Sequence, residues 1–75
     1  MSKHQYAINP SIAARIKARR RELGITQEKL AELVDRCEQT IRLYENCRLG
    51  VSPEMLRILA AELRTTADWL ENGDT

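Results

Sequence analysis

The stretch from Thr26 to Asn46, TQEKLAELVDRCEQTIRLYEN, decides how this chain folds. Thr26 offers a capping hydroxyl, and Leu30, Ala31 and Val34 then recur at helical spacing, which predicts a two-turn helix over Gln27 to Val34. Asp35-Arg36 breaks it. A second helix is predicted from Glu38 to Glu45, with Ile41 and Tyr44 on one face. Glu38, Gln39, Arg42 and Leu43 are left on the opposite, outer face.

Upstream, Asn9-Pro10 pairs a capping side chain with proline at the first helical position. Ile12, Ile16 and Leu23 share one face, and Gly24 follows where a helix commonly ends in the left-handed conformation. Ile25 is placed to fold back on that last turn. Downstream, Asn46 to Val51 reads as a loop, and Ser52-Pro53-Glu54 repeats the start signal. Met55, Leu56, Leu59, Ala60 and Leu63 form the next apolar face. Thr66 caps a last short helix holding Ala67, Trp69 and Leu70, closed by Gly73. The prediction is all-α, with five helices and no strand. The expected core is Ile12, Ile16, Leu23, Leu30, Val34, Ile41, Tyr44, Leu56, Leu59, Leu63, Trp69 and Leu70. Residues 1–10, with His4 and Tyr6, are expected to form a mobile arm, and 11–73 the folded domain.

A chain of 75 residues holds one core. It buries only roughly 60–65% of the surface exposed when unfolded, which leaves no room for a deep active site. It has one His, and no phosphate loop, nucleophile elbow or metal pair, so an enzyme is not expected, nor a cofactor or small-molecule substrate. Two Cys and one His cannot complete a structural zinc site without carboxylates, so no metal is expected and Cys37 and Cys47 read as free thiols. No apolar run approaches the roughly 20 residues that span a bilayer, and the first ten residues lack a secretory signal; a cytoplasmic location and no membrane partner are expected. The net charge of +1 hides a gradient: residues 1–24 carry six Lys or Arg against one Glu, 25–50 four against five acids, and 51–75 two against five. A basic end alone is weak support for nucleic-acid binding, because charged helix faces are usually just solvated.

The run Thr26-Gln27-Glu28-Lys29-Leu30-Ala31, then Thr40-Ile41, then Tyr44-Glu45-Asn46, resembles the lambdoid phage repressor and Cro helix-turn-helix family. Ser11 to Gly24 resembles that family's first helix, and Leu63 to Gly73 its closing helix. The resemblance implies a compact lambda-repressor-like domain: a prokaryotic, sequence-specific DNA-binding regulator of the repressor type. Its partner would be a palindromic double-stranded operator, bound as a homodimer through the last two helices and their loops, where Leu49, Val51 and Trp69 are candidates. A helix fits the major groove of B-DNA, where each base pair shows a distinct set of donors and acceptors, so the outer residues Glu38, Gln39, Arg42 and Leu43 become candidate base contacts. Gln39 suits adenine, Arg42 guanine, Glu38 the amino group of cytosine and Leu43 the thymine methyl. Gln27, at the positive start of its helix, is the first candidate for phosphate, followed by Asn46 and Arg48, then Arg36 and Thr40. The resemblance also implies an ion pair between Arg20 and Glu45.

Four positions depart from the family pattern. Cys37 stands where a Ser or Thr cap is usual, and a thiol is a weak acceptor. Asp35 stands for the usual turn Gly, and Arg64 for the Gly that ends the fourth helix. Glu38 puts an acid at the front of the reading helix, near phosphates that would repel it; Arg42, four residues on, is a candidate partner for it as well as for DNA. An antitoxin or other protein-binding regulator on the same fold, with DNA binding secondary, is the alternative reading.

Overall fold

The computed structural model describes residues 6–73. Five helices follow one another: α1 (Pro10–Glu22), α2 (Gln27–Leu33), α3 (Glu38–Glu45), α4 (Pro53–Glu62) and α5 (Ala67–Asn72). No strand occurs among the described residues. His4 lies outside them.

Each start is set by its own side chain. Asn9 accepts from the backbone N–H groups of Ser11 and Ile12, Thr26 from Lys29, Ser52 from Met55 and Thr66 from Trp69. Such a cap satisfies a donor that the first turn leaves without a helical partner, worth about 1 kcal/mol each. At α3 the cap position is Cys37, which makes no such bond.

The helix ends are equally local. Gly24, Asp35, Cys47, Arg64 and Gly73 all have positive φ, between 59° and 73°. After α1, α2, α3 and α4 the same pair of reverse bonds forms; after α2, for example, Arg36 N–H donates to the Ala31 carbonyl and Asp35 N–H to that of Glu32. This satisfies carbonyls that the last turn would leave bare. Asp35 and Arg64 thus occupy the left-handed positions expected for glycine. Cys47 does so without any sequence signal.

All five helices contribute to one core. Ile16, Leu30, Ile41, Leu59, Leu63 and Leu70 are fully enclosed, and Ile12, Ala13, Ala31, Val34, Tyr44, Met55, Leu56 and Ala60 complete it. Two residues expected in the core lie at its margin instead: Leu23 and Trp69 are only partly buried. Leu23 is the capping residue at the end of α1, where the chain turns away. Trp69 sits on the shortest helix, too small an element to cover an indole on all sides. Ahead of α1, Tyr6 and Ala7 run across Gly50 so closely that a Cβ there would meet the Tyr6 carbonyl and lie 2.8 Å from that of Ala7. Glycine at 50 therefore answers to close packing rather than to a special backbone angle.

Candidate nucleic-acid interface

α3 buries Ile41 and Tyr44 and turns Gln39 and Arg42 to solvent, with Glu38 and Leu43 half-exposed. With its side chains an α-helix is a rod about 10–12 Å across, which matches the roughly 12 Å width of the B-DNA major groove. The four outer residues named from the sequence share this face.

The far end of the rod is fixed from below. Arg20 Nε donates to Glu45 Oε2 at 2.7 Å and Arg20 Nη2 to Glu45 Oε1 at 3.0 Å, a two-pronged pair joining α1 to α3. Arg20 also donates to the Ile25 carbonyl at 2.9 Å, and the Gln27 amide to Glu45 Oε1 at 3.0 Å. Among the described residues no buried side-chain polar atom lacks a partner. The pair therefore has the hydrogen bonding that a desolvated charge requires. Gln27 is thus held by its side chain to Glu45, while its backbone N–H, at the first position of α2, has no helical acceptor.

The five phosphate candidates fall into two groups. Gln27 is bonded to Glu45, the last residue of α3, and Asn46 and Arg48 follow Glu45 in the chain. Thr40 lies in the first turn of α3, with Arg36 just before it. Asn46, Arg48 and Arg36 are exposed, and Thr40 is half-buried. Arg36 donates to the Asp35 carbonyl at 3.0 Å. The Thr40 hydroxyl lies 3.3 Å from Cys37 Sγ, and this contact, first among the causes, pulls the exposed thiol below its ordinary pKa. On the inner side of α3, burial raises the Tyr44 phenol against a smaller opposing pull from Arg36.

Glu38 and Arg42 meet on the outer face. Arg42 Nη2 donates to Glu38 Oε2 at 2.9 Å, and both side chains remain about half exposed, at 49% for Arg42 and 43% for Glu38. A surface pair of this kind adds at most a few tenths of a kcal/mol to the helix. Its importance is where it puts the charges.

A family model described as helix-turn-helix matches residues 16–70. The chain belongs to the helix-turn-helix family. It is a DNA-binding transcriptional regulator with a lambda-repressor-like fold. The P22 c2 repressor, in a crystal structure with a synthetic operator, is 32% identical, with a TM-score of 0.79 over 84% of this chain and 96% of the repressor chain. The solution structure of that repressor's DNA-binding domain is 28% identical, with a TM-score of 0.80 over 99% and 90% of the two chains. Hydroxypropylphosphonic acid epoxidase from S. wedmorenis, at 24% identity and a TM-score of 0.80, is matched over 35% of its own length, so that likeness concerns the fold alone.

Two arginines of this helix-turn-helix domain were not singled out in the sequence. Arg15 Nη1 donates to the Leu70 and Glu71 carbonyls at 3.1 and 3.0 Å. Arg19 donates through Nε to Leu63 and through Nη2 to Arg64, at 2.8 and 3.2 Å. These cations cap the negative ends of α5 and α4. With Arg20 on Glu45, three of the basic residues in the first third hold the domain together. Half of the six basic residues at this end therefore serve as an internal fastening. The acceptors of Arg15 and Arg19 are main-chain carbonyls, which carry no mark in the sequence.

Proposed function

We infer that this protein is a repressor-type regulator that binds a palindromic DNA operator as a homodimer and inserts α3 into the major groove. The observation that carries the reading is the two-sided character of α3: one side is locked by the buried Arg20–Glu45 pair, the other presents Glu38, Gln39, Arg42 and Leu43 to solvent. In this reading Gln39 addresses adenine, Arg42 guanine, Glu38 the cytosine amino group and Leu43 the thymine methyl. Gln27 uses its free backbone N–H toward phosphate, with Asn46 and Arg48 beside it and Arg36 and Thr40 at the opposite end. The 32% identity to the operator-bound P22 c2 repressor supports binding to an operator. Exposed Leu49 and half-buried Val51, next to α3, supply an apolar start for the dimer surface, and half-buried Trp69 adds to it. A single domain has few contacts, and a second copy multiplies their effect.

Selection of bound sites from a random duplex library tests the reading. The expected result is a two-fold symmetric consensus, with half-sites one helical turn, roughly 34 Å, apart. Affinity should fall steeply with salt as phosphate contacts are screened. No enrichment, or binding indifferent to salt, would overturn it and favour a protein partner.

A further inference from the structure

The helix-turn-helix segment is poorly supplied with free positive charge for a surface that meets a polyanion. Residues 25–50 carry four Lys or Arg against five acids. Two of the four are paired with acids, Arg42 with Glu38 at 2.9 Å and Lys29 with Glu32 at 3.8 Å, which leaves Arg36 and the exposed Arg48 as the segment's unpaired positive charges among the described residues. Arg15, Arg19 and Arg20 of α1 are engaged with α5, α4 and Glu45. Affinity for DNA regardless of sequence comes from cations placed on phosphates, so this distribution keeps it low.

The Glu38–Arg42 bond has a second effect. A solvated arginine on the groove face has two kinds of target, a guanine edge and a neighbouring phosphate, and only the first reports sequence. Glu38 engages one nitrogen, Nη2, and among the described residues Nε and Nη1 of Arg42 have no partner. The guanidinium keeps donors for O6 and N7 of guanine, and its swing toward the sugar-phosphate chain is restrained. Glu38 Oε1 has no hydrogen bond among the described residues and is open to the amino group of a neighbouring cytosine.

We propose that Glu38 and Arg42 act as one reading unit for a guanine-containing step, in which the carboxylate positions the guanidinium on the base edge and withholds it from phosphate. This rests on α3 being the reading helix. It adds that the two residues are coupled and that Glu38 sets the ratio of specific to non-specific binding.

A double-mutant cycle tests it. The full chain, Glu38→Gln, Arg42→Ala and the double variant are titrated against the selected operator, single-base variants of it and an unrelated duplex, over a salt series. Melting temperatures establish that each variant is folded. In Glu38→Gln, affinity for the unrelated duplex should rise several-fold and the slope of log affinity against log salt should steepen by about one contact. Discrimination at one G·C position should fall about two- to several-fold. In the Arg42→Ala background the steeper salt slope should vanish and the other changes should shrink, leaving only the gain from removing an acid near phosphate and the loss of Glu38's own contact to cytosine. Additive effects with an unchanged salt slope would overturn the coupling while leaving α3 as the reader, because the full chain would still prefer its operator. No sequence preference in the full chain would remove the reading and the coupling together.

Discussion

At the scale of single residues, what distinguishes this chain is which side chains are already committed before any DNA arrives. Gln39 is exposed with no hydrogen bond among the described residues, so it is free to form a two-point contact to adenine. Gln39→Ala should cost about 1–3 kcal/mol of discrimination at one base position, measured by competition between operator variants; an equal loss on every sequence would mark it as a phosphate or structural contact. Cys37 is committed in a weaker way. The Thr40 hydroxyl stabilises its thiolate, so the rate of alkylation against pH should have its midpoint below that of an unperturbed thiol, and Thr40→Val should move the midpoint up. The outer face of α3 was legible in the sequence because helical periodicity assigns faces directly. The commitment of Gln27 to Glu45 was not, because it depends on how α2 crosses α3.

At the scale of elements, the helix starts were legible and the ends less so. Asn9, Thr26, Ser52 and Thr66 announce a start because a cap acts within three residues. A left-handed end is announced only when glycine fills it. Gly24 and Gly73 were readable, Asp35 and Arg64 were visible as replacements in a known pattern, and Cys47 carried no signal at all. An ordinary side chain at such an angle costs roughly 1–2 kcal/mol. Arg64→Gly should therefore raise stability by about 1 kcal/mol despite the added freedom of the unfolded chain. The Arg64 carbonyl that receives Arg19 is kept in this variant, so denaturant unfolding reads the backbone effect alone. A loss of stability would show that the Arg64 side chain has a role its exposure does not suggest.

At the scale of the whole molecule, α1 is the member that joins the others: Arg15 reaches α5, Arg19 reaches α4 and Arg20 reaches α3. A domain of 75 residues has a total stability of about 4–11 kcal/mol. Glu45→Ala strands a buried guanidinium, at roughly 3–5 kcal/mol, and should remove much of that total. A melting temperature unchanged from the parent would mean the pair holds nothing together. The approach of Tyr6 and Ala7 to Gly50 has a practical side. It brings Tyr6 and Ala7 alongside the loop that follows α3. Even one methyl group at position 50 would wedge Tyr6 and Ala7 off that loop, so Gly50→Ala should lower the melting temperature.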